Sequence, residues 1–247
     1  SDLSFVSNLR RLDNLNLNNN RIEDLSALRS LTRLRDLSVS NNQIRTLASL
    51  AEIESLEWIH ASSNRISQVD ELKSLPNLRG VNLDNNRIFD LQAFGEMDNL
   101  EWLWVGDNRL DYLDGIEGAK RLRTLGVSNN VYIEDLLPLA ELENLQELWF
   151  SYNSVSDLRP LAALSSLRRI EGNGNLLKTL SGLEDMQYLR EVYLPDNDIN
   201  DVSALKGAPI ASLNLERNKV QKFADALEHI NPDTNEWGGG NINLRGN

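Results

Sequence analysis

The chain has 247 residues, 40% of them hydrophobic, and carries 37 acidic against 25 basic side chains, for a formal charge of −12. That balance disfavours nucleic acid and a bare anionic membrane, since both need a basic face to neutralise phosphate. Cysteine is absent, which excludes disulfides and thiolate metal sites, and no apolar stretch is long enough to span a bilayer.

Residues 1–11 read as a partial unit, because Leu3, Val6 and Leu9 anticipate Leu25, Leu28 and Leu31. Ten copies of one unit then run from residue 12 to residue 230. The first is Leu12, Leu15, Leu17, Asn20, Ile22, Leu25, Leu28; the next, 22 residues on, is Leu34, Leu37, Val39, Asn42, Ile44, Leu47, Leu50. A unit this short cannot bury its own apolar side and folds only by stacking on its neighbours. The Asn column is Asn20, Asn42, Asn64, Asn86, Asn108, Asn130, Asn153, Asn175, Asn197 and Asn218. One residue is inserted near Val131–Tyr132 and one is missing near Gly207–Pro209, both outside the Leu-x-Leu centre, where a loop can absorb them.

Within a copy, Leu-x-Leu alternates with period two and predicts a short strand, with neighbouring copies pairing in parallel about 4.8 Å apart. The Asn that follows is expected to form a buried ladder, supplying donors and acceptors to backbone groups that the turning chain leaves unpaired. Next comes Ile-x-Asp-Leu-Ser-x-Leu. Its acid (Asp24, Asp90, Asp135, Asp157, Asp201) suits the start of a tight helical turn, and the few residues left predict turns or 3₁₀ pieces in place of long helices. Towards the end, Phe223, Ala226, Leu227 and Ile230 have helical spacing closed by Pro232. Residues 231–247 then read as a partial terminal repeat or cap, with a flexible turn at Gly238–Gly239–Gly240 and the strand motif restarting at Ile242, Leu244 and Asn247. The expectation is a single repeat domain over 1–247, cut through an array at both ends and opening without a basic-then-apolar leader.

The repeated pattern Leu-x-x-Leu-x-Leu-x-x-Asn-x-Ile/Leu resembles the leucine-rich repeat family, and its 22-residue copies with Asp-Leu-Ser-x-Leu resemble the internalin-type class. The resemblance implies an α/β solenoid, a leucine-rich repeat horseshoe with a parallel concave sheet and short 3₁₀ or turn elements on the convex side. It also implies a protein-binding scaffold that uses the concave sheet, bacterial and surface-bound or secreted. The chain departs from that class by placing several Trp on the sheet and by lacking a recognisable N-terminal cap.

The residue between the two strand leucines must face outward. That column reads Asn16, Ser38, His60, Asn82, Trp104, Gly126, Trp149, Glu171, Tyr193, Asn214, and the column two residues earlier reads Asn14, Asp36, Trp58, Gly80, Trp102, Thr124, Glu147, Arg169, Glu191, Ser212. Outward Trp exposes large apolar area, and such residues dominate the energetics of interfaces. The expected partner-binding set is therefore Trp58, His60, Trp102, Trp104, Glu147, Trp149, Arg169, Glu171, Glu191 and Tyr193, with Tyr152 extending it. Gly80, Gly106 and Gly126 are expected to leave gaps between the rings. Tyr112, Tyr132 and Tyr188 fall outside the columns and read as surface residues. An aromatic centre with an acidic rim suits a protein partner of basic or mixed surface.

Catalytic patterns are missing. The two histidines, His60 and His229, have no triad signature; Ser38 and Ser62 near His60 are ordinary members of their columns. No Gly-x-x-x-x-Gly-Lys loop occurs, and Asp84–Asn85–Asn86 and Asp107–Asn108 lack the spacing of a calcium loop. The sequence thus points to a non-enzymatic protein-binding module without cofactor or metal. The competing readings are a structural or docking limb of a larger multidomain protein, enzymes included, and a saccharide-binding surface.

Overall fold

A computed structural model describes residues 3–221 and 241–247. The expected helix over Phe223–Ile230, His229, Pro232 and the Gly238–Gly240 turn lie outside the described residues. The chain divides into two compact units, the first Ser1–Leu110 with Asp114–Leu122, the second Asp111–Leu113 with Arg123–Asn247. In the first unit, strands β1 (Asn14–Asn16), β2 (Asp36–Ser38), β3 (Trp58–His60), β4 (Gly80–Asn82) and β5 (Trp102–Trp104) pair in parallel in chain order. In the second, β6 (Thr124–Gly126), β7 (Glu147–Trp149), β8 (Arg169–Glu171), β9 (Glu191–Tyr193), β10 (Ser212–Asn214) and β11 (Asn241–Asn243) do the same.

Each strand covers three residues, the first leucine of Leu-x-Leu and the outward residue on either side of it. Its middle residue points inward: Leu37, Ile59, Leu103, Leu148, Ile170 and Val192 are fully buried. The strand limits fall on the two outward columns, so register is fixed as the alternation predicts, for example Asp36↔Trp58↔Gly80↔Trp102. At β1, Leu12, Leu15 and Leu17 are only half-buried.

The Asn column does what its chemistry requires. Asn42 Nδ2 donates to the carbonyls of Leu17 and Val39, both at 3.0 Å, while its Oδ1 accepts from Ile22 N–H at 2.9 Å. Asn64, Asn86, Asn175, Asn197 and Asn218 repeat the arrangement, tying each copy to the one before. The residue ahead of each Asn holds a left-handed backbone, from Asn19 at φ 60° through Asn85 at 55° to Arg217 at 53°. Asn and Asp tolerate that region best, which accounts for much of the Asn-Asn doubling in the sequence. The alternation gave no sign of this slot.

Among the described residues, the other side of most copies is a single 3₁₀ turn, such as Ser26–Leu28, Ala48–Leu50 or Arg159–Leu161; one copy has the short α-helix α1 (Gln92–Gly95), and the copy between β8 and β9 has turns alone. The repeat Asp sits one residue ahead of the formal cap and accepts the N–H two residues on: Asp24 from Ser26 at 2.8 Å, Asp135 from Leu137 at 2.8 Å, Asp157 from Arg159 at 2.9 Å, Asp201 from Ser203 at 2.8 Å. The inserted residue is absorbed at Val131, which turns left-handed (φ 63°) and stands exposed beside Tyr132; the missing one is absorbed at Gly207 (φ 84°).

Candidate functional site

In the first unit, the open face of the sheet carries Trp58 and His60 on β3 and Trp102 and Trp104 on β5, all half-buried. The rings of Trp58 and Trp102 lie 4.9 Å apart, tilted by 39°. They belong to strands separated by β4, and Gly80 lets them meet. A methyl group at Gly80 would fall 2.2 Å from Trp58 Cε3 and Cζ3. The Trp58 indole therefore lies across the glycine of the next copy. Arg79 braces the far ring, its guanidinium carbon 5.8 Å from the Trp102 ring centre, and is itself held by Glu101 at 2.6 Å.

This overturns one expectation. Gly80 leaves no gap, because Trp58 covers it; Gly106 and Gly126 are buried, and Gly106 donates its N–H to Asp84 at 2.7 Å. His60 pairs in register with Ser38 and Asn82, and Ser62 Oγ donates to Ser40 Oγ.

The second unit carries Glu147 and Trp149 on β7, Arg169 and Glu171 on β8, and Glu191 and Tyr193 on β9. Arg169 organises them. Its guanidinium carbon lies 5.5 Å from the Trp149 ring centre and 4.9 Å from that of Tyr193, while its NH1 and NH2 reach Glu191 at 2.9 Å and Glu171 at 3.0 Å. Desolvation weakens that charge, but the hydrogen bond to Glu171 and the charges of Glu191, Glu171 and Tyr193 outweigh it, so the Arg169 pKa rises. Two of the carboxylates expected to meet a partner are thus held by a cation of the same face. Tyr152 is off the strands: it occupies the left-handed slot (φ 56°), is exposed, and lies against Gly174 of the next copy, where a methyl group would come within 2.8 Å of its ring. Tyr112, Tyr132 and Tyr188 are exposed, as their positions implied.

Leaning onto a glycine one copy ahead recurs in the core. Phe150, fully buried, takes the second inward position of its copy, and a methyl group on Gly172 would meet its ring at 2.3 Å. Trp58 over Gly80, Phe150 over Gly172 and Tyr152 over Gly174 are the same device. The signal was present in the columns as a large ring followed, at the same slot of the next copy, by glycine.

Asp84, two residues past β4, has a raised pKa. Burial drives it up, against the Gly106 N–H, the Asn82 side chain and with the help of Asp107. A carboxyl whose folded pKa exceeds its unfolded value costs no stability below the ordinary value of 3.8, and the cost grows as pH rises through the folded value. Asp84→Asn keeps the acceptor for Gly106. It is expected to be more stable than the parent at neutral pH, with the difference closing below pH 3.8 in urea titrations run at both pH values.

Comparisons with known proteins agree with this architecture. A model of leucine-rich repeats in two copies matches residues 10–52 and 54–95. Internalin C2 of Listeria monocytogenes is 33% identical, covering 68% of this chain and 74% of its own, with a TM-score of 0.65. The chain belongs to the leucine-rich repeat family, in its internalin-like class. Another Listeria monocytogenes internalin, inlF, superposes with a TM-score of 0.89 at 26% identity over 98% of this chain and 69% of its own. A plant peptide hormone receptor, RGFR1, solved in complex with RGF2, shares the fold (TM-score 0.73, 18% identity, 88% of this chain and 38% of its own). A comparison with curated proteins gives no match. The leucine-rich repeat fold commonly mediates protein binding, and no helix among the described residues is long and apolar enough to cross a membrane.

Proposed function

We propose that this leucine-rich repeat protein is a non-enzymatic recognition module, bacterial and surface-bound or secreted, acting as a single repeat domain. It binds a protein of basic or mixed surface through the outward residues of its strands. The observation that carries the reading is the Trp58–Trp102 pair braced over Gly80. Indoles fixed before binding lose little side-chain entropy when a partner covers them, and half-buried Trp on an open sheet is the composition of an interface centre. Trp104 and His60 flank that pair; Trp149 and Tyr193, ordered by Arg169 with Glu171 and Glu191, form a second patch with Glu147, which Tyr152 extends. The plant receptor solved with RGF2 supports the general mode, a repeat array engaging a polypeptide.

The test is Trp102→Ala with Trp104→Ala. Each anchor is worth about 2 kcal/mol at an interface centre, so the double variant should lose at least a hundredfold in affinity for proteins captured by the parent, measured by surface plasmon resonance, with little change in its urea midpoint. Equal affinity in parent and variant overturns the reading. A saccharide that quenches Trp fluorescence in the absence of any protein ligand replaces it.

A further inference from the structure

An unassigned basic stripe runs along one edge of the first unit. The residue following the ladder Asn reads Gln43, Arg65, Arg87 and Arg109 in four consecutive copies. Its backbone is locked in register: Gln43, Arg65, Arg87 and Arg109 donate their N–H groups to Ile22, Ile44, Ile66 and Ile88 at 2.8–2.9 Å. The three guanidiniums therefore leave the surface one strand spacing apart, roughly 4.8 Å. None of the three has a carboxylate within ion-pairing distance among the described residues. Two nearby acids are turned onto backbone, Asp90 accepting from Gln92 N–H and Asp84 from Gly106 N–H, and the stripe ends where the next copy has Val131 at this slot. The first unit holds 14 Lys and Arg against 18 Asp and Glu, a net −4 of the chain's −12, so the edge lies in the less acidic part of the molecule.

Phe89 adds an apolar element. Ile88 is buried between exposed Arg87 and Phe89, so those two side chains leave on the same side of the backbone, and Phe89 is 50% exposed.

We propose that this edge binds a linear sulfated polysaccharide. Guanidinium forks match tetrahedral oxyanions in paired hydrogen bonds, and an anion spanning the row relieves the repulsion among three like charges in register. A slender chain reaches the stripe where a broad polyanion would meet the surrounding acids. The ring of Phe89 suits the apolar face of a sugar and offers nothing to a polyphosphate. An extended acidic peptide presents same-side carboxylates about 6.6 Å apart, out of step with the rows. The inference does not depend on the aromatic face.

The experiment is fluorescence anisotropy of a labelled heparin fragment with the whole chain. The fragment should bind, with affinity falling about two decades per decade of salt for three contacts. Arg65→Gln/Arg87→Gln/Arg109→Gln should weaken it at least tenfold, Phe89→Ala severalfold, and Arg29→Gln, on a 3₁₀ turn, not at all. These side chains are on the surface, and a urea curve for each variant confirms folding. The inference fails if the desulfated fragment, linear polyphosphate or polyglutamate binds as well as heparin, or if the folded triple variant binds like the parent.

Discussion

Asn175→Ala is expected to destabilise the second unit by about 3–5 kcal/mol. The side chain is 6% exposed. It donates to the carbonyls of Phe150 at 3.0 Å, Gly172 at 3.1 Å and Asn173 at 3.3 Å, and accepts from Val155 N–H at 3.0 Å. Alanine removes all four bonds at a position that water does not reach. A stranded buried polar group costs about 1–3 kcal/mol, and the Val155 N–H together with the buried carbonyls makes more than one. Against a total stability of roughly 5–15 kcal/mol, one substitution forfeits a large share. Asn175→Asp divides the loss: it keeps the acceptor for Val155 but turns the donors into a buried charge, and should be at least as damaging at neutral pH. Urea unfolding followed by circular dichroism measures both. A change below about 1 kcal/mol would mean that the ladder is incidental to the fold.

The ladder was legible because Asn recurs at one slot, and a polar residue at fixed phase in an apolar repeat has few roles. The strands and their outward columns were legible for a related reason: period two in three residues leaves one choice of face, and the pairing of Trp58 with Gly80 and of Arg169 with Glu191 follows that phase. What a column cannot give is the direction in which a side chain leans. Trp58 fills the place of Gly80, so a supposed gap is an occupied slot. Arg169 turns between Trp149 and Tyr193 and draws in Glu171 and Glu191, so residues that read as a loose acidic rim form a closed set. Both outcomes depend on the size of the residue one copy away, which is invisible when each column is read by residue type alone. The left-handed slot was likewise hidden, since Tyr152 and Arg217 occupy it beside the Asn and Asp that favour it.

The same neighbour rule gives the second large effect. At the second inward position most copies hold a branched aliphatic residue: Leu17, Val39, Leu83, Val105, Val127, Leu194 and Leu215. Gly172 is an exception, and restoring the consensus there looks like a repair. Instead, Gly172→Leu should destabilise the protein by about 1–3 kcal/mol or more, the cost of overfilling a packed core. The ring of Phe150 stands 2.3 Å from where even a Cβ would lie, and Phe150 is fully buried. Trimming the ring alone is also costly: Phe150→Leu leaves a void beside the glycine, and lost contacts and cavity act together. The double variant Phe150→Leu/Gly172→Leu places two ordinary repeat residues side by side, with volume moved from one copy to the next. It should recover most of the stability lost by Gly172→Leu. In a double-mutant cycle the coupling between the two positions should exceed 1 kcal/mol, in the range found for residues in direct contact. Additive losses would show that the ring and the glycine are independent, and that neighbouring copies do not share out space as the positions of Phe150 and Gly172 indicate.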